Sequence, residues 1–79
     1  MYLQITGFLP EPNADESLKF EMDLRGTLET RSLEIMGWET LDDAGGWENE
    51  LTPAQVHLFS DLLADSGIKE LSLFIACVE

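Results

Sequence analysis

The chain holds one histidine, His57, and one cysteine, Cys77, so nucleophilic chemistry of the Cys-His kind has a single candidate pair. Helical projection sets His57 on the polar side of its segment with Asp61 one turn later, while Cys77 lies in an apolar run near the chain end. A solvent-facing histidine and a small core cysteine account for both. Carboxylates are the more abundant reactive groups. Asp42 and Asp43 are adjacent, and Glu39, Glu48 and Glu50 flank them. Acid–base catalysis needs a concave site and carboxyls of different pKa, and a 79-residue chain has little interior from which to build one. The expectation is a protein that is not an enzyme.

Metal and cofactor chemistry meet similar objections. Around Asp42-Asp43-Ala44-Gly45-Gly46 no frame supplies the alternating acids, central glycine and terminal glutamate of a calcium-binding helix-loop-helix. An irregular, weak calcium site from Asp42, Asp43 and Glu48 is kept as an alternative. Gly45-Gly46 is flanked by acids rather than by the lysine and hydroxyl of a phosphate-binding loop, so a nucleotide would meet the wrong charge. One cysteine makes neither a zinc cluster nor an internal disulfide. No cofactor is expected.

Charge says more. Sixteen acids face four bases, a formal charge of −12 with a pI near 4.1, which repels nucleic-acid phosphates and anionic lipid. Direct nucleic-acid or membrane ligands are therefore not expected. No lysine or arginine occurs between Arg31 and Lys69, and the eight acids within residues 32 to 68 hold two-thirds of the net charge. Folding gains nothing from that asymmetry, because like charges oppose compaction; it suits the steering of a basic protein partner. The same stretch contains Trp38, Trp47 and the Gly45-Gly46 pair in a connection, Gly37 to Leu51, that is long for an ordinary loop. Trp38, Glu39, Asp42, Asp43, Trp47, Glu48 and Glu50 are thus the candidate partner-binding residues. A core role competes at both tryptophans, more strongly at Trp38, because a small domain has few large groups to fill its interior. A plainly solvated face competes at the acids.

The elements that must position these residues follow from periodicity. A hydrophobic content of 44% suits one folded domain over residues 1–79. Leu3 and Ile5 lie on one side of an N-terminal strand that Gly7 is expected to interrupt, and Pro10 and Pro12 enforce a loop that Asn13 to Glu16 extends. Leu18, Phe20, Met22 and Leu24 alternate with Lys19, Glu21 and Asp23, a half-buried strand ended near Gly26. Leu33 and Ile35 alternate with Ser32 and Glu34, which predicts a third strand over 28–35. A helical turn is expected around Glu39 to Ala44. Thr52, Pro53 and Gln55 form a helix start, with Val56, Leu58, Phe59, Leu62 and Leu63 on one face and Gly67 as a left-handed cap, predicting a helix over 53–66. From Leu71 to Val78 both alternating sets are apolar, as in a strand covered on both faces or used for assembly.

The predicted fold is α+β in the order β-β-β-α-β, a sheet of about four strands packed on one helix, with the C-terminal strand beside the first or central. With no basic leader segment and no apolar run of about 18 residues, a cytoplasmic location is expected. The leading function is a non-enzymatic acidic module that binds a protein with a basic surface, a class that includes inhibitors and immunity-type proteins whose carboxylates imitate phosphates. The alternative to it, besides calcium binding, is a structural component or homodimer assembled through the uncovered face of the C-terminal strand. No motif carries a resemblance to a known family.

Overall fold

Alternation of apolar and polar residues makes a strand of the N-terminal end, and a run apolar on both faces makes one of the C-terminal end. The computed structural model describes residues 1–10 and 17–79, so the loop expected at Pro12 to Glu16 lies outside the described residues. The elements run β1 (Tyr2–Phe8), β2 (Leu18–Leu24), α1 (Thr27–Met36), β3 (Asn49–Glu50), α2 (Pro53–Leu63) and β4 (Ser72–Val78), with short 3-10 helices at Leu41–Ala44 and Ser66–Glu70. The strands form one antiparallel sheet in the order β2-β1-β4-β3. The fold is a small α+β domain. As expected, β4 is interior, paired with β1 from Tyr2 opposite Val78 to Phe8 opposite Ser72.

Register decides the core. Leu3, Ile5 and Gly7 of β1 stand opposite Leu24, Met22 and Phe20 of β2, and opposite Cys77, Ile75 and Leu73 of β4, so all nine share one face. Phe59 and Ile68 are buried with them, and Leu28, Leu33, Ile35 and Met36 of α1 and Val56, Leu62 and Leu63 of α2 pack against the cluster. Both helices therefore cover the same side of the sheet. Among the described residues no helix is long and apolar enough to cross a membrane.

The predicted third strand is wrong: residues 28–35 lie within α1, so two helices rather than one cover the sheet and the order is β-β-α-β-α-β. Leu33 and Ile35 lie at the two borders of one broad packed face of the helix, and Leu28, Ser32, Ile35 and Met36 follow the helical spacing. Ser32 is fully buried, and its hydroxyl donates to the Leu28 carbonyl one turn back at 2.6 Å. Glycines delimit this helix. Gly26, at φ 61° and ψ −127°, turns the chain out of β2; Gly37, left-handed at φ 73°, donates to the Glu34 carbonyl while the Trp38 amide donates to that of Leu33. The remaining strand of the sheet is instead the two-residue β3, opposite Ile75 and Phe74. The helical turn expected near residues 39–44 is present as Leu41–Ala44.

Three smaller corrections concern single residues. Gly7 does not interrupt β1; the strand continues through Phe8, with a register shift against β2 at Gly7/Phe8. Helix α2 has the expected start, where the Thr52 hydroxyl accepts from the Gln55 amide at 3.2 Å and the Gln55 side chain accepts from the Thr52 amide at 2.9 Å. It ends at Leu63, and the left-handed cap is Ala64 (φ 53°, ψ 41°), not Gly67, whose amide instead donates to the Asp65 carboxylate. Leu58, expected on the covered face of α2, is 48% exposed, and the buried position beside Phe59 is Ser60, which donates to the Asp65 carbonyl at 3.0 Å.

Two substitutions test this packing. A Cβ at Gly7 would stand 2.9 Å from a Leu73 methyl, 3.0 Å from a Leu71 methyl and 3.2 Å from the Phe20 Cβ. Gly7→Val is expected to cost about 1–3 kcal/mol by overpacking, read from urea unfolding, and an unchanged midpoint would contradict it. Ala64→Gly removes a left-handed Cβ conflict that outweighs the added freedom of the unfolded chain. It is expected to stabilise by about 0.5–1 kcal/mol, or roughly 2–8 °C in Tm; a lower Tm in a thermal melt would contradict this.

Candidate functional site

The connection from α1 to α2 is a sequence of local closures. Gly37 ends α1 and sends Trp38 back over the core, where its ring is half-buried and packs against the apolar cluster. The chain then turns into the 3-10 helix at Leu41–Ala44. The Asp43 carboxylate organises this turn by accepting from the backbone amides of Glu39 at 2.8 Å and Thr40 at 3.1 Å. Ala44 is fully buried at the turn's end, and Gly45 follows at φ 71°.

Beyond the turn, Trp47 lies over Gly45. A Cβ on Gly45 would come within 2.8 Å of the indole, so the ring rests where only glycine leaves room. Even so, Trp47 is 68% exposed. Its backbone is tied down by Asn49, whose side-chain amide donates to the carbonyls of Ala44 at 2.9 Å, Trp47 at 3.3 Å and Ile75 at 3.3 Å. One side chain thus joins the turn, the tryptophan and the central strand β4. The Leu51 amide then donates to the Leu73 carbonyl at 2.9 Å, and Leu51 enters the core.

The candidate residues therefore separate into three groups. Trp38 belongs to the core side, and Asp43, although exposed, is committed to holding its turn. Glu39, Asp42, Trp47, Glu48 and Glu50 remain exposed, and among the described residues no ion pair engages the four acids. Among the described residues no group of three or more His, Cys, Asp or Glu side chains is placed to hold a metal ion. His57 is exposed on α2, 3.7 Å from the Asp61 carboxylate, and Cys77 packs against the core. Open clefts among the described residues include two beside the helices. One of about 390 Å³ lies where β3 meets α2 and includes Glu50, His57 and Lys69. The other, of about 400 Å³, runs between α1 and α2 beside Leu58, Arg31 and Asp61.

Two features lie outside the sequence-based candidates. Asn49 carries no signal for its role, because its three acceptors are set by the fold. The other is the second face of the sheet, where Phe8 and Phe74 meet edge to face, with centroids 5.9 Å apart and planes at 71°. That face was foreshadowed by the apolar alternate set Phe74, Ala76 and Val78. No family model, curated protein or solved structure matches the chain.

Asn49→Ala removes the donor shared by three carbonyls and is expected to cost about 1–3 kcal/mol. In a Trp38→Phe background, where Trp47 is the only indole, it should also lower the steady-state fluorescence anisotropy. Unchanged stability together with unchanged anisotropy would show that Asn49 does not hold the loop.

Proposed function

We propose that the chain is a non-enzymatic protein-binding module that meets a basic protein surface through Trp47 and the carboxylates of Asp42, Glu48 and Glu50, with Glu39 at the margin. The observation that carries this reading is a large aromatic side chain exposed to solvent yet seated on Gly45, on a loop tied to the sheet by Asn49. An anchor already held in place loses little freedom on association, which favours affinity. The acids around it bring no compensating base from their own stretch of chain, so they attract cations from outside. Inhibitors or immunity-type proteins that cover a nucleic-acid-binding surface are one class within this reading. Asp43 is excluded from the contact set because its carboxylate holds the backbone of the turn.

The test compares three immobilised baits in extract of the source cell: the native chain, Trp47→Ala, and the triple variant Asp42→Lys, Glu48→Lys, Glu50→Lys. The native chain is expected to retain a cation-rich protein that added salt releases, as screening of exposed charges requires. Each variant bait should retain at least about tenfold less, equivalent to roughly 1.4 kcal/mol of binding. Equal recovery on all three baits, or retention indifferent to salt, would overturn the proposal.

A further inference from the structure

We infer that the open face of the sheet is a docking surface for a basic amphipathic helix of the protein partner. The inference rests on the basic-partner reading above and adds to it a second surface that adjoins the first along β3. Both helices of the chain cover the face carrying Leu3, Ile5 and Ile75, and the opposite face has no covering element among the described residues. Along β4 this face is an apolar row of Phe74, Ala76 and Val78, which Tyr2 and Phe8 extend at the two ends of β1 while Gln4, Thr6 and Ser72 are its polar members; the five apolar residues are half-buried and none belongs to the core cluster. Seven-residue central strands extend about 23 Å, and the four strands span roughly 14 Å. A helix of about fifteen residues and 10–12 Å diameter matches both dimensions. A sheet normally buries an apolar face beneath such a layer.

Among the described residues the charges flanking this strip are unequal, and they specify the occupant. Along the β2 edge, Lys19, Glu21, Asp23 and Arg25 balance one another; Arg25 lies 4.0 Å over the Tyr2 ring and 4.0 Å from Asp23, which also accepts from Gln4 at 3.1 Å. Along the β3 edge the exposed side chains are Glu48 and Glu50, and Glu50 stands opposite Phe74 in register. Lys69 shares a cleft with Glu50, and no ion pair joins them. The apolar strip therefore has one acidic margin, continuous along β3 with Trp47. Its complement is a helix with an apolar stripe and Lys or Arg on the flank that overlies β3. A second copy of this chain would bring −12 against −12.

The probe is a fluorescein-labelled fifteen-residue synthetic helix of Leu, Ala and Lys, with one Leu stripe and Lys along one flank. A scrambled peptide of the same composition is the control, and light scattering follows the oligomeric state. Amide shifts on titration are expected to centre on Phe8, Phe74, Ala76 and Val78, with the scrambled peptide at least about tenfold weaker. Ala76→Glu should weaken binding at least about tenfold although it adds negative charge, which separates docking on the strip from general attraction. Glu50→Lys should weaken it more than Glu21→Lys. Shifts confined to the Trp47 loop with Ala76→Glu unaffected would overturn the inference and leave the Trp47 reading standing. Equal binding of the scrambled peptide, absence of binding, or a dimer of the chain occupying the same face would also overturn it. If Ala76→Glu fails to fold, the amide-shift map on the native chain still decides.

Discussion

Pairing of the first and last strands is the constraint on which the rest of this domain depends. β1 and β4 lie side by side through all seven of their residues, and Leu3, Ile5, Leu73 and Ile75 between them are 0–1% exposed. The chain must close nearly its whole length before this pair forms, so the contact carries the loop-closure cost of the fold and must recover it through burial. β2 is then added on the free side of β1, and the short β3 on the free side of β4. Gly7 makes the arrangement tight: with no side chain of its own, it admits Leu71, Leu73 and Phe20 over the end of β1.

A sheet built this way has two faces and only enough chain to cover one. α1 and α2 both pack on the side of Leu3 and Ile5, where β-branched and aliphatic side chains interlock with Phe59 and Ile68. The other side keeps an aromatic pair, Phe8 and Phe74, that is sheltered mainly by its neighbours in the sheet. The long connection between the helices serves β3 as well as any partner. It inserts Trp38 and Ala44 on the core side and leaves Trp47 outside, and Asn49 holds the two arrangements together by bonding to carbonyls on both sides of the divide.

Legibility in the sequence followed how local each determinant is. β2 was readable because Leu18 to Leu24 alternate without exception, and the start of α2 because Thr52, Pro53 and Gln55 supply a cap, a preset φ and a reciprocal bond within four residues. α1 was misread because Leu33 and Ile35, at the two borders of one broad packed helical face, imitate the alternation of a strand, and the glycines that bound it, Gly26 and Gly37, act through backbone angles that composition does not display. The cap at Ala64 was missed for a related reason: an alanine in the left-handed region is costly, and backbone bonds to the Asp61 and Ser60 carbonyls close the helix end there. For the candidate surface, the acids and tryptophans were visible as types. Their separation into a core indole, a turn-forming carboxylate and an exposed group was not.

The sequence by itself determined the α+β class, the strands at both ends, the capped helix after Thr52 and the concentration of negative charge in residues 32–68. All of these depend on residue type and on neighbours a few positions away. Only the tertiary structure decided that residues 28–35 form a helix, that Asn49 and Glu50 extend the sheet, that Trp38 turns inward while Trp47 stays out, and that Phe8 meets Phe74 on the uncovered side. Each of those outcomes depends on contacts between residues far apart in the chain. Burial against a distant strand, or a carbonyl 26 positions away such as that of Ile75 for Asn49, outweighs local preference where the preference is weak.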